Sequence, residues 1–278
     1  MAEHTERKLN RLERLLPDGL LVDAAWLTKH GYSTSLRSQY VSAGWLEQPT
    51  RQVYRRTRDP LHWSQAIISL QTLLERDLTI GGRSALAIQG YSHYLVHETK
   101  AIHLYGPDHP PAWLSRLPLD VTFVYHNSGR LFSYSALQPH PNSDTPFDAT
   151  GTDSLSGNPA SQPWDHWGKK IAVSRPERAL LELLDELPDR DSFHQVDKVV
   201  EGLANLSPRR LENLLKDCRS VKVKRLFFFF ADRHQHAWLK RISKDAIDLG
   251  KGKRMLVRGG KLNAAYQITV PEDVDAVQ

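Results

Sequence analysis

The stretch Ser33-Thr34-Ser35-Leu36-Arg37-Ser38-Gln39-Tyr40-Val41-Ser42-Ala43-Gly44 decides how the N-terminal part of this chain is read. A hydroxyl at its start can cap a helix, and the glycine at its end can stop one. Between them, Leu36, Tyr40 and Val41 recur at helical spacing and predict the inner face of a helix over about 34–43. Ser35, Arg37, Ser38, Gln39 and Ser42 are left for the outer face. Short polar side chains with one arginine suit hydrogen bonding to base edges in a major groove.

Working outward, Leu9, Leu12 and Leu16 form one apolar stripe on a first helix, which Pro17-Asp18-Gly19 breaks. Leu20-Leu21-Val22 is a short apolar run, and Asp23 can cap a second helix over Ala24 to His30. After the deciding stretch, Trp45 to Gln48, a turn at Pro49-Thr50-Arg51, and Gln52 to Arg56 read as a small β-hairpin. Helix, helix, short turn, helix and hairpin is the order of a winged helix-turn-helix, assigned to residues 1–58. In that arrangement Arg37, Ser38 and Gln39, assisted by Ser35, read bases. Arg51, Gln52, Arg55 and Arg56 hold phosphates, with Lys29 a further phosphate candidate. The competing reading of the same residues is a helical module for protein contact.

The charge distribution points the same way. The 278 residues carry 37 Lys+Arg and 32 Asp+Glu, a net +5. Residues 29–58 contribute six positives (Lys29, Arg37, Arg51, Arg55, Arg56, Arg58) and one negative, Glu47. Residues 219–261 hold a second, stronger basic excess, and the rest of the chain is net acidic. Within that second segment, Lys222, Lys224, Arg225, Lys251, Lys253, Arg254, Arg258 and Lys261 form one basic surface if helix and hairpin adjoin. Its alternatives are an RNA- or partner-binding patch and a merely solvated face. A single cysteine, Cys218, excludes a disulfide framework and a cysteine-based zinc site. No apolar run approaches the ~20 residues of a membrane span. Met1 to Lys8 does not read as a secretory leader. These features lead to the expectation of a cytoplasmic protein without membrane contact.

Residues 59–278 read as a mixed α/β domain, making the whole chain α+β. Helices are expected over 61–75 and 84–96, and strands over 101–105, 119–125 and 131–137. Residues 138–168, rich in Pro, Ser, Asp and Asn, read as a long loop. Ile171 to Val173 is a further strand. Ser174-Arg175-Pro176-Glu177 has capping-box spacing before a leucine-rich helix. Helices follow from Ser207-Pro208 and over 221–233, and a closing hairpin turns at Gly259-Gly260.

Catalytic signals are weak. Gly81-Gly82-Arg83-Ser84 at a helix start resembles a phosphate cradle of nucleotidyl transfer, but no carboxylate pair for Mg²⁺ follows on the next strand. Gly250-Lys251-Gly252-Lys253 lacks P-loop spacing. His93 and His97 stand at i, i+4 without a third ligand. The expectation is a protein that is not an enzyme and uses no metal or cofactor.

The chain resembles the AbiEi antitoxins of type IV toxin–antitoxin, or abortive-infection, systems over nearly its whole length. The resemblance rests on Leu20 to Lys29, Tyr40 to Leu46 and Gln52 to Arg56. It continues in Gly81 to Leu86 with Gln89 to Leu95, Ser174 to Ala179, Val221 to Leu226, Gly250 to Arg254, Gly259 to Leu262 and Tyr266 to Pro271. It implies that the N-terminal domain binds double-stranded operator DNA, at inverted repeats in its own promoter, and represses its operon. It implies that the C-terminal domain counteracts a cognate AbiEii-like nucleotidyltransferase toxin, directly or indirectly.

Overall fold

The computed structural model describes residues 2–56, 59–91, 101–133, 160–164 and 170–275. The chain divides into two compact units. One comprises Met1–Leu78 with His109–Phe123 and Pro163–Ile171, the other Thr79–Asp108, Val124–Gln162 and Ala172–Gln278.

The first unit runs α1 (Ala2–Leu15), β1 (Leu21–Asp23), α2 (Ala24–Lys29), α3 (Thr34–Ser42), β2 (Glu47–Thr50), β3 (Val53–Arg55) and α4 (Trp63–Thr72). Asp23 caps α2 by accepting from the Trp26 amide at 2.8 Å, and Ser33 caps α3 by accepting from the Leu36 amide at 3.3 Å. Gly44 takes the left-handed conformation just past α3. The three strands order as β1-β3-β2, with both pairings antiparallel. The expected two-stranded hairpin is therefore the outer part of a three-stranded sheet. With β3 in the middle, all three of its residues, Val53, Tyr54 and Arg55, are buried. Leu12, Leu16, Leu21, Leu27 and Tyr40 complete this core. The α4 helix packs on β1, and the Ser69 hydroxyl accepts from the Leu21 amide at 2.7 Å.

A five-stranded sheet ordered β6-β5-β4-β8-β7 lies mostly in the second unit. Its strands are β4 (Thr79–Ile80), β5 (Ala101–Gly106), β6 (Thr122–Asn127), β7 (Ala160–Pro163) and β8 (Lys170–Val173). Between β4 and β5 comes α5 (Gly82–Ile88), and after β8 come α6 (Pro176–Asp185), α7 (Phe193–Gly202), α8 (Pro208–Asp217) and α9 (Val221–His234). The chain closes with β9 (Lys261–Asn263), β10 (Ile268–Val270) and the short α10 (Glu272–Asp275). The α9 helix is the core element. Val223 through Ala231 are all buried, Phe227 to Phe230 among them, and α6 and α7 pack against it. This mixed α/β architecture agrees with the expected class.

Several local expectations differ from the structure. Residues 160–163 form β7 inside the stretch read as loop, and α7 was not expected at all. Residues 131–133 do not continue as a strand. The capping box at Ser174 does not form. Arg175 is the N-cap, while Ser174 donates to Glu182 at 3.1 Å and Glu177 accepts from the Ser207 amide. The closing hairpin turns at 264–267, where Asn263 accepts from the Tyr266 amide at 3.0 Å, and not at Gly259-Gly260. The expected His93–His97 pair lies outside the described residues.

Candidate functional site

In the first unit the outer face of α3 presents Ser35, Ser38, Gln39 and Ser42, all exposed. Arg51 and Gln52 are exposed at the β2–β3 turn, where Gln52 adopts a left-handed backbone with φ of 66°. Lys29 is exposed at the end of α2.

The other three arginines assigned to DNA are turned into the fold. Arg37 is only 7% exposed. Its Nη1 donates to the Ala24 carbonyl at 2.9 Å, the Thr28 hydroxyl at 2.7 Å and the Tyr32 carbonyl at 3.2 Å. Its Nη2 donates to the Thr34 hydroxyl at 2.8 Å. Arg37 thus fastens α2, the intervening turn and the start of α3 together, and it has no free edge for a base. It stands one turn before buried Tyr40, so the inner stripe of α3 is Arg37 with Tyr40. Leu36 and Val41 are only half-buried. Arg55, 3% exposed, lies on the middle strand and pairs with Glu47 at 2.8 Å. Arg56 donates to the Glu13 and Leu16 carbonyls at 3.0 Å each, near the end of α1, and lies 3.3 Å from Asp18. Guanidinium groups saturate carbonyls well because five donors form a fixed fork. That property took these three arginines away from the surface.

The second basic segment divides in the same way. Lys222 donates to the Asp185 and Leu187 carbonyls at 2.6 and 2.8 Å, placing a cation at the C-terminal end of α6. Lys224 is buried. Arg225, also buried, donates to the carbonyls of Leu249 at 2.7 Å, Gly252 at 2.7 Å and Gln267 at 3.2 Å, organising the segment before β9. Lys251, Lys253, Arg254, Arg258 and Lys261 are exposed, together with Met255 at 71%.

The Gly81-Gly82 turn is filled from within. The Gly82 amide donates to Glu182 Oε2 at 2.9 Å, while Ser174 and Arg178 Nε donate to Oε1 at 3.1 and 2.8 Å. A side chain at Gly81 would run into the Glu182 carboxylate and the Tyr105 ring. Burial and then the Glu182 charge push the Tyr105 hydroxyl well above the usual tyrosine range. The anion that this turn holds is the chain's own carboxylate.

A second polar group lies nearby, and sequence reading missed it. His103 on β5 and His126 on β6 approach at 3.0 Å, Nδ1 to Nε2, and His126 Nδ1 lies 3.0 Å from Glu186 Oε1. Burial and neighbouring His126 lower the His103 pKa to about 4, so its ring is neutral at neutral pH. Burial alone would raise the Glu186 carboxyl, but the His126 hydrogen bond and charge outweigh it and hold the pKa below the usual value. No spacing motif links positions 103, 126 and 186. Only the pairing of two strands and the end of α6 unite them.

A family model described as the transcriptional regulator AbiEi antitoxin N-terminal domain matches residues 5–97. A second, described as the transcriptional regulator, AbiEi antitoxin of type IV TA systems, matches residues 99–271. The chain belongs to the AbiEi antitoxin family. Both AbiEi models describe regulator and antitoxin modules, and neither describes a catalytic domain. This AbiEi chain is also similar in fold to the crystal structure of the RV2827C protein from Mycobacterium tuberculosis. That match has a TM-score of 0.53 and 17% identity, covering 95% of this chain and 90% of the other. No curated protein matches. Among the described residues, no helix is long and apolar enough to cross a membrane.

Proposed function

We propose that the first unit of this AbiEi antitoxin is a winged helix-turn-helix that binds inverted repeats in its own promoter and represses its operon. The observation that carries this reading is the exposed face of α3, which consists of Ser35, Ser38, Gln39 and Ser42 with no charge to bind DNA indiscriminately. The order α1-β1-α2-α3-β2-β3 and the sheet order β1-β3-β2 support it. Ser35, Ser38 and Gln39 read base edges in the major groove. Arg51 and Gln52 at the wing turn, with Lys29, contact phosphates and fix register. Arg37, Arg55 and Arg56 build the module and do not touch DNA.

The second unit counteracts a cognate AbiEii-like nucleotidyltransferase toxin. The exposed Lys251, Lys253, Arg254 and Arg258 form the surface used against the toxin or its RNA substrate.

The test is a mobility-shift titration on DNA upstream of the operon and on random DNA, with Gln39→Ala and Ser38→Ala. The substitutions should weaken operator binding and leave binding to random DNA unchanged. Equal loss on both would remove α3 from base reading. In parallel, Lys253→Glu with Arg254→Glu should abolish rescue from the toxin in co-expression while operator binding survives. Persisting rescue would make this surface a solvated face.

A further inference from the structure

We propose that His103, His126 and Glu186 form a binding site for a divalent transition-metal cation of the zinc class. One donor atom from each of the three lies within 4.8 Å of the others. Two imidazoles and one carboxylate are the donor set of zinc sites that keep an open position for water. In such a site zinc–nitrogen bonds of about 2.0–2.1 Å in tetrahedral geometry set two ring nitrogens roughly 3.3 Å apart. His103 Nδ1 and His126 Nε2 stand 3.0 Å apart, close to that spacing. To admit an ion the rings would turn so that both lone pairs meet at it, and the Glu186 carboxylate would leave His126 Nδ1 to reach it.

The contacts within the trio leave Glu186 Oε2 out. His126 Nε2 faces His103, and His126 Nδ1 faces Glu186 Oε1. Glu186 Oε2 is buried, accepts no hydrogen bond and belongs to a residue only 7% exposed. An unsatisfied buried carboxylate oxygen is costly and calls for an explanation. A cation supplies one.

The surroundings suit this assignment. The Tyr105 ring stacks on His126 with centroids 4.5 Å apart, which fixes the imidazole plane. The nearby Arg83 guanidinium is neutralised by the buried Asp191 carboxylate and also donates to Gln195 at 3.1 Å. Arg190 is the competing cation. Its Nη1 lies 3.7 Å from Glu186 Oε2 and 3.4 Å from His126 Nδ1, with the side chain 58% exposed, so an ion would have to displace it. An ion here would tie β5, β6 and the end of α6 together, and binding to the folded state alone would stabilise this unit.

The experiment uses the full-length protein, stripped with a chelator and titrated with Co²⁺. The expected result is one equivalent bound with the visible absorption of a low-coordinate site, displaced by Zn²⁺, and a melting temperature that rises with added Zn²⁺. His103→Ala, His126→Ala and Glu186→Gln should each weaken binding at least about tenfold, since loss of an outer-shell partner alone costs about that much. A His234→Ala/His236→Ala double variant should bind as well as the parent, and Arg190→Ala, which removes the competing cation, should bind more tightly. Circular dichroism checks the fold of each variant. For any variant that does not fold, ring-nitrogen NMR of the unsubstituted protein decides, with His103 and His126 expected to shift on Zn²⁺ addition. Absence of stoichiometric binding, binding undiminished in a folded His103→Ala variant, or unmoved His103 and His126 resonances would overturn the proposal.

Discussion

The amide of Gly82 donates to the Glu182 carboxylate at 2.9 Å, across 100 residues of chain. The turn that reads in sequence as a phosphate cradle is thereby closed by an internal anion that Arg178 also holds at 2.8 Å. Removing one partner of a buried pair leaves the other charge uncompensated, at a cost of about 3–5 kcal/mol. Glu182→Ala should therefore lower stability by that order in urea unfolding, and added phosphate or nucleotide should not restore it. Restoration by phosphate would mean that the turn is a ligand site that Glu182 merely occupies.

Arg37→Ala is expected to act on folding and not on sequence choice. The four acceptors of its guanidinium lie in α2, the turn and α3. Hydrogen bonds from charged donors contribute about 1.5–3 kcal/mol each at most, and they are not additive. A loss of about that size in unfolding free energy should appear, with affinity for operator and random DNA falling together. A stable variant with relaxed operator preference would return Arg37 to the DNA surface.

These cases mark where the sequence was legible. Caps, terminating glycines and apolar spacing located α2, α3, α8 and α9, because each signal acts within one or two turns of chain. The mistakes concern long-range partners. Arg55 looks exposed on a hairpin until β1 pairs with the far edge of β3. Arg225 looks like surface charge until the carbonyls of Leu249, Gly252 and Gln267 converge on it. Glu186 offers no local pattern, and its meaning depends on two histidines brought by neighbouring strands. Charge counted along the chain is thus a poor guide to charge displayed on the surface when arginines staple loops.

Arg51 and Arg55 should separate cleanly by salt dependence. Arg51 is exposed at the wing turn, and each phosphate contact contributes about 0.9 to the slope of log affinity against log salt on duplex DNA. Arg51→Ala should lower that slope by about one without changing stability. Arg55→Ala should leave Glu47 without its 2.8 Å partner and destabilise the unit, with the slope unchanged for the fraction that remains folded. An unchanged slope in Arg51→Ala would take the wing turn off the DNA.

Acid should loosen the junction of α7 and α9. Asp197 is buried, which alone would raise its pKa, but hydrogen bonding to His234 at 2.8 Å and the Arg233 charge bring it below the usual value. A carboxyl with a depressed folded-state pKa contributes stability above its unfolded pKa. That contribution is lost as pH falls through the folded value. Stability measured against pH should therefore drop below the ordinary carboxylate range, and Asp197→Asn should flatten that part of the curve. An identical acid limb in Asp197→Asn would show that other carboxylates govern it.

Cys218 offers a direct readout of whether the second unit opens. It follows α8, is 2% exposed, and burial pushes its thiol pKa up to about 11. Reaction with a disulfide reagent requires the thiolate and access to the sulfur, and the folded state withholds both. At pH 8 the native protein should react far more slowly than the urea-unfolded chain. The native rate should then track the population of the opened state, rising in Glu182→Ala if that substitution destabilises this unit. As this is the only cysteine in the chain, no second thiol can mask the signal. Equal rates in native and unfolded protein would show that the α8 end opens freely, and that the sulfur is not part of a closed core.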